Sequence, residues 1–415
     1  MKKIFLAFLI VCLAGPLLFA GGNSAQNAPA PGKEPSGSIQ WWSPNWDEVA
    51  SKALVDSFQK EFPNIKVDLV ITEWTTYKSK IITAASANNA PEITAVLISD
   101  VFPLTQVGLL YPLDDYVKQN NIDLSDYVTG ALDASYVNGK LYSLPYRRDS
   151  PAMYYNADML KAAGYDAPSA AWTDFIEMAK KVTKDGVYGI GWQLGDQTNS
   201  VTRLLGLLYT FGGAIFNDDQ TKCLLDSDAA IKGLHIIVDS YKGGYASPNS
   251  IEWNNPKIRD AFGTGKIATF FAVSGEIANI QKSYPAINLK TSMVPGVNGY
   301  GVSTYNGWTN VMLKNSVNKD AAAKFICYIA RPENQLALSA TFPASSKALQ
   351  APKFSDPLYA TFRQQVQNAK PESNYKGWAE VEPIIFSYMQ KAVNGDLSVE
   401  DACKKMTADV NAVMQ

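Results

Sequence analysis

The residues of this 415-residue chain best equipped for chemistry are its nine tryptophans and the carboxylates and amides placed near them. Trp42 and Trp46 bracket Ser43 and Asn45 directly after the apolar segment Ile39-Gln-Trp-Trp42, and Asp100 follows a second apolar run, Ile93 to Ile98. Flat aromatic faces cover the C–H face of a sugar ring, and charged or amide side chains bond its hydroxyls, each desolvated charge-assisted bond contributing ~1.5–3 kcal/mol. A tryptophan at such a place serves as often in a core. Hydrolysis of a glycosidic bond would need two acids ~5–10 Å apart, and Asp100 with Asp149 or Glu276 are the carboxylates to consider. Other chemistries are poorly provided for. The single histidine, His235, lies among aliphatics in Gly233-Leu-His-Ile-Ile-Val-Asp239 and reads as a structural residue on a buried or half-buried helix face. No Gly-x-Ser-x-Gly elbow occurs, and Gly263-Thr-Gly-Lys266 falls short of a phosphate loop because Asp260 and Ile267 replace its first Gly and its Ser/Thr. Cys223, Cys327 and Cys403 have no Cys-x-x-Cys spacing, so no zinc site, metal or cofactor is expected, and at most one disulfide, its partners left open.

Charge and composition narrow the partners. With 37 Lys and Arg against 39 Asp and Glu there is no basic field to attract phosphates, and nucleic acid is not an expected partner. Met1-Lys2-Lys3, the apolar run Ile4 to Ala20 and the small residues Ala20-Gly21-Gly22 read as a secretory signal over 1–22. Gly15-Pro16 interrupts the run, and no later stretch approaches the ~20 apolar residues of a membrane span, so an exported protein without a retained membrane helix is expected. Cys12 follows Val11 where a lipoprotein box needs a small residue, so a lipid anchor there is not expected. Residues 23–37, rich in Ala, Pro, Gly, Ser and Asn, read as a flexible tether.

Folding is expected from about Ser38. Strand at 39–42, helix at 47–62 with Val49, Ala53, Leu54 and Phe58 as its apolar positions, strand at 65–71, helix at 77–88 and strand at 93–98 form an open α/β layer. Such sheets bind ligands beyond the carboxyl ends of their strands, which puts the loops 43–46, 72–75 and 99–102 on one rim. Asn138-Gly139 marks a hairpin turn before a strand at 140–144. A second alternation follows, with strands at 153–155 and 188–192 and helices at 158–163, 172–183 and 201–211. Tyr111, Trp74 and Trp172 read as core or surface aromatics.

The stretch Asn138-Gly-Lys-Leu-Tyr-Ser-Leu-Pro-Tyr146 leading into Tyr154-Tyr-Asn-Ala-Asp-Met-Leu-Lys161 resembles the extracellular solute-binding proteins of family 1, sugar-binding receptors of bacterial ABC importers. Phe211-Gly-Gly-Ala-Ile-Phe-Asn-Asp218, Phe262-Gly-Thr-Gly-Lys-Ile-Ala268, Lys319-Asp-Ala-Ala-Ala-Lys-Phe-Ile326 and Gly395-Asp-Leu-Ser-Val-Glu-Asp-Ala402 extend the likeness from about Ser38 to the C-terminus. The resemblance implies an α/β, two-lobed periplasmic-binding-protein fold (type II), with a ligand cleft between the lobes, several hinge crossings and closure on binding. It implies lobe 1 at 38–146 plus 300–342 and lobe 2 at 147–299 plus 343–415, with crossings near 145–149, 294–303 and 341–345. Asp149, after Arg147 and Arg148, matches an acidic position at the first crossing. Trp192, Gly213, Trp253, Ser274 and Glu276 match cleft positions of the second lobe. The Ser-Trp pair usual in the family is Ser274-Gly275 here, so Trp253 or Phe271 is the expected replacement for the missing ring, and Trp308 and Trp378 are further candidates. The implied function is a monomeric, exported receptor, periplasmic or at the outer face of the cytoplasmic membrane. It would take a mono- or oligosaccharide or related polyol to the permease subunits of an importer without catalysis. A secreted glycosidase-like enzyme is the alternative, an adhesion module a third. Arg147 and Arg148 hint at an acidic sugar or phosphorylated polyol.

Overall fold

The computed structural model describes residues 35–414 apart from Thr75, Thr129, Ala340, Ser373, Asn374 and Lys376. The expected signal peptide, Cys12 and all but the end of the expected tether lie outside the described residues.

Two sheets organise the chain. The first contains β1 (Gly37–Pro44), β2 (Ile65–Thr72), β3 (Ile93–Leu97) and β4 (Leu110–Tyr111). A separate two-stranded hairpin, β5 (Tyr136–Val137) and β6 (Lys140–Leu141), leads into β7 (Ser143–Asp149). The second sheet contains β8 (Ala152–Asn156), β9 (Tyr188–Gly191), β10 (Ile267–Ala272) and β11 (Leu289–Ser292). The chain then re-enters the first sheet with β12 (Ser303–Leu313) and later β13 (Ala369–Pro371). Strand order in the first sheet is β13-β12-β3-β1-β2, with β4 and β7 also paired to β12; in the second it is β11-β8-β10-β9. The hairpin turn at Asn138-Gly139 has φ of 51° and 74°, the left-handed pair that an Asn-Gly dipeptide adopts at small cost.

The helices on the first sheet are α1 (Glu48–Glu61), α2 (Tyr77–Ser86), α3 (Val101–Gln106) and α4 (Asp114–Gln119). On the second they are α5 (Ala157–Ala162), α6 (Trp172–Val182), α7 (Gln197–Thr210), α8 (Asp228–Lys242), α9 (Asn255–Gly263) and α10 (Glu276–Ser283). The chain then adds α11 (Lys319–Ile329) and α12 (Pro332–Leu338) to the first core, and α13 (Pro357–Gln367), α14 (Trp378–Asn394) and α15 (Val399–Met414) to the cores of the second. Parallel β1 and β2 run in register from Gly37 opposite Ile65 to Pro44 opposite Thr72, so their carboxyl ends finish side by side.

Expected element types agree with this order, and most bounds move by a few residues. The expected helix at 201–211 begins earlier, at Gln197, because Asp196 caps it by accepting from the Asn199 amide. In α1 the buried face is Ser51, Leu54, Val55 and Phe58, whereas Val49 is 84% exposed and Ala53 faces solvent. The turn at Asn45–Asp47 and the Ser43–Ser51 hydroxyl bond of 2.7 Å set the helix phase, which the apolar spacing alone misplaced.

Cys223, Cys327 and Cys403 are buried and unpaired among the described residues. His235 on α8 bonds Asp239 on its own helix and Glu400 on α15, each at 3.1 Å, and so joins two helices. Among the described residues no helix is long and apolar enough to cross a membrane, and no cluster of three His, Cys, Asp or Glu could hold a metal ion.

The first core is knitted by aromatic edges: Phe58 of α1 is fully buried and lies 4.7 Å from Phe325 and 5.1 Å from Tyr328, both of α11. Phe58→Ala is expected to destabilise the protein by ~3–5 kcal/mol through lost burial and the cavity left behind, read as a lowered thermal midpoint; an unchanged midpoint would contradict this packing.

Candidate ligand-binding cleft

One cavity of about 470 Å³ lies between the two sheets and draws its walls from both. From the first come the turn after β1, the loop after β2 and the strands β7 and β12; from the second, α7, α9 and the start of α10.

The first wall is aromatic. Pro44 ends β1 in an extended conformation, and the short 3-10 turn that follows carries Trp46 out to 39% exposure. Its ring lies 4.9 Å from Trp308 and 6.2 Å from Trp74, both at edge-to-face angles, and Trp308 also packs against Tyr77 at 5.2 Å. The Arg147 guanidinium sits 5.7 Å from the Trp46 ring. Strand period places Arg147 and Asp149 on one face of β7, where the Arg147 Nε donates to Asp149 Oδ2 at 2.6 Å, while Arg148 turns to the other face and covers Tyr305 at 4.1 Å. Across from β7, Gly307 of β12 makes this possible: a Cβ there would stand 2.2 Å from the Arg147 carbonyl oxygen.

The second wall is polar. Thr198, Asn199, Thr202 and Arg203 share one face of α7 by their spacing, and Asn255 and Arg259 of α9 and Glu276 and Asn279 of α10 continue it. Arg259 Nη1 donates to Glu276 Oε2 at 3.1 Å. Between the walls, Glu372 accepts from Thr202 Oγ1 at 2.8 Å and from Asn306 Nδ2 at 2.5 Å, tying α7 to β12. Asn306 and Glu372 also line a second cavity of about 390 Å³.

Burial dominates the electrostatics. It raises Glu372 to about 7, against the lowering effect of the Thr202 and Asn306 bonds, and raises Asp47, which accepts from the Tyr146 hydroxyl, to about 6. It pushes Arg203 down to about 10. Asn45, Asp149, Arg203 and Arg259 line the cavity and each keeps one buried polar atom without a hydrogen-bond partner: Oδ1, Oδ1, Nη1 and Nε respectively. Such atoms are costly unless something supplies partners.

Of the residues expected at a ligand, Asn45, Trp46, Arg147, Asp149, Glu276 and Trp308 line this cavity. The others do not. Trp42 is half-buried beside the first core, its indole N–H donating to Gln40 Oε1 at 2.7 Å, and Ser43 is buried on its bond to Ser51; both still belong to β1, which runs two residues further than expected. Asp100 is buried and already engaged, accepting from the Tyr77 hydroxyl and pairing with Lys78 at 2.6 Å. Trp192 lies in the second core, its indole donating to Ser240 and its face on Phe271 at 5.3 Å, so neither ring supplies a cleft platform. Gly213 packs against Leu208 and Ala229, Trp253 is in the core under α9, and Trp378 is buried at the start of α14. Ser274 is 1% exposed, between the cavity-lining Val273 and Gly275.

Several cavity residues escaped the sequence reading. Trp74 had a signal: it follows β2 on the rim loop 72–75, next to the loop that carries Trp46. Asn306, just before the selected Trp308, had a weaker one. Asn199, Arg203, Arg259 and Glu372 had none, because ordinary polar positions on helices and short connections carry no mark of the wall they will join.

A family model described as bacterial extracellular solute-binding protein matches residues 41–336. The chain belongs to this family. It is 24% identical over 347 residues to the sn-glycerol-3-phosphate-binding periplasmic protein of Pectobacterium atrosepticum, covering 78% of this chain and 73% of that one. Among solved structures, an ABC transporter solute-binding protein of Thermotoga lettingae bound with α-D-tagatose superposes with a TM-score of 0.83 at 21% identity, covering 92% of this chain and 100% of that one. A Mycobacterium tuberculosis protein in complex with glycerophosphocholine gives 0.81 at 22% identity over 91% and 98% of the two chains. The fold of this solute-binding protein is therefore the two-lobed α/β architecture of periplasmic binding proteins.

Glu372 ordinarily has a pKa of 4.5 and here is raised to about 7, so between those values the folded protein keeps a proton that the unfolded chain has lost. Stability due to this group therefore falls as pH rises through that window and stays lower above it. Glu372→Gln is expected to flatten the decline in melting temperature between about pH 4.5 and 7 and to melt higher than wild type under alkaline conditions; an unchanged profile would mean that Glu372 is ionised in the folded protein throughout.

Proposed function

We propose that this chain is the substrate-binding receptor of an ABC importer that captures a sugar or related polyol between its lobes and delivers it unchanged to the permease subunits. One observation carries the reading: a wall of three tryptophans, Trp46, Trp74 and Trp308, faces a wall of amide, hydroxyl and guanidinium groups across a single cavity. A polyhydroxylated ring fits both sides, its C–H face on the indoles and its hydroxyls, which donate as well as accept, meeting acceptors such as Asp149 and donors such as Arg259. Three of the relatives state a small, oxygen-rich ligand, tagatose, glycerophosphocholine or sn-glycerol 3-phosphate, and others state larger saccharides such as maltotriose and cycloalternan.

The lobes we propose are 38–146 plus 300–342 and 147–299 plus 343–415. Separate hydrophobic cores support this division, one built largely from residues of the first set and two from the second. The family to which the chain belongs supports an exported location, and the polar cleft supports a soluble ligand. Ligand contacts made to both walls at once favour the closed arrangement of the lobes, which is the state a permease would recognise. The carboxylates Asp149 and Glu276 are each oriented by an arginine and can accept bonds from solute hydroxyls.

Calorimetric titration of the full exported chain against sugars and polyols is expected to give saturable binding, with the solute recovered chemically unchanged. Trp46→Ala and Trp74→Ala are each expected to weaken it about tenfold, ~1.4 kcal/mol, whereas Trp42→Ala leaves it unaltered. Consumption of the solute, or equal loss in all three variants, would defeat this reading.

A further inference from the structure

Three arginines line the cleft, and one of them has no counter-ion. Arg147 pairs with Asp149 at 2.6 Å and Arg259 with Glu276 at 3.1 Å. Arg203, only 7% exposed, instead donates through Nε and Nη2 to the neutral Gln193 Oε1, at 3.1 and 2.5 Å, with a long 3.5 Å contact from Nη2 to Asn199 Oδ1. Its Nη1 has no partner, and among the described residues no carboxylate comes within ion-pair distance. Arg203 also borders a small cavity of about 30 Å³ whose lining includes Trp172, Trp192, Leu207 and Phe271, apolar neighbours that solvate a cation poorly. Buried charges are ordinarily paired, and an unpaired one at a ligand cavity is a cost that a ligand can offset.

Arg203 rises from α7, whose first turn supplies Thr198 and Asn199 to the same cavity wall; that turn is capped by Asp196, and its Gln197 Nε2 donates to Glu382 Oε2 at 3.1 Å. The acids that face Arg203 are Asp196, which caps α7 and is engaged with Asn199, and Glu372, which burial raises to about 7 and which is bonded to Thr202 and Asn306. Neither forms an ion pair with the guanidinium.

We infer that the solute carries one anionic substituent, a carboxylate or a phosphate ester, which seats against Arg203 while the polyol part lies on the Trp46, Trp74 and Trp308 wall. This deepens the receptor reading and rests on it. The unpartnered Nη1 is suited to an oxygen of an anion, and charge-assisted bonds made in a desolvated site are the stronger kind.

Matched pairs test the inference on the intact protein: D-glucose against D-glucuronate and against D-glucose 6-phosphate, and glycerol against sn-glycerol 3-phosphate, titrated at low and at high salt. The carboxylate and phosphate arms separate the two sources of charge. At least one anionic probe is expected to bind about tenfold or more tightly than its neutral counterpart, with the advantage shrinking as salt is added. Arg203→Gln is expected to collapse that ratio toward one. Gln193→Glu supplies an internal counter-ion at the existing Nε and Nη2 contacts without removing the arginine, and is expected to do the same even where Arg203→Gln folds poorly. Neutral probes that bind as well as the anionic ones, or an anionic preference that survives Gln193→Glu, would overturn the inference and leave the receptor reading intact. Failure of every neutral and anionic probe to bind would remove that reading as well.

Discussion

The pairing of β7 with β12 is the constraint on which the cleft depends. Antiparallel register sets Asn306 opposite Asp149, Gly307 opposite Arg148 and Trp308 opposite Arg147. Because side chains alternate along a strand, this register sends Arg147 and Asp149 to the cavity and Arg148 to the far side; a slip of one residue would reverse them. The close approach at Gly307 and the irregularity between Trp308 and Thr309 hold the register where the ion pair and the indole must meet. These strands also carry the chain between the sheets, so the segments about which the lobes would hinge are the segments that present ligand groups.

The aromatic wall is a consequence of sheet topology. Trp46 and Trp74 are 28 residues apart in the chain, yet β1 and β2 run parallel and in register, so the connections at their carboxyl ends emerge together. Trp308 arrives from the opposite chain direction on β12, which pairs antiparallel with β3 beside β1. Edge-to-face packing then fixes the three rings relative to one another, leaving Trp46 partly open to the cavity. An aromatic surface held rigidly before ligand arrives loses little entropy on binding.

Charge burial gives the opposite wall its character and its cost. Two of the cleft arginines are neutralised by neighbouring carboxylates, one is held only by amides, and Glu372 spans the gap between α7 and β12 with its proton affinity raised by burial. A core built for stability alone would avoid groups of this kind, since each loses hydration that its protein partners replace only in part. Their concentration in one cavity is what a binding site requires, because partners withheld by the protein can be supplied by a solute.

The succession of strands and helices was legible in the sequence, because apolar period and turn dipeptides such as Asn138-Gly139 report local structure directly. So was the rim after β1, and with it Asn45 and Trp46, since an open α/β sheet offers ligands the carboxyl ends of its strands. What local pattern did not determine was which polar or aromatic side chain turns inward once the elements pack. Trp42 and Ser43 stayed within a strand that ran to Pro44, Asp100 was taken by Lys78 and Tyr77, and Trp192, Trp253 and Trp378 were drawn into cores by their area. Conversely Arg203, Arg259 and Glu372 joined the cleft from positions that look like ordinary surface polar residues in the chain. The sequence by itself therefore determined the elements and the rim, whereas the tertiary structure alone decided the composition of the cleft, because facing walls are brought together by helix phase and strand register between segments far apart in sequence.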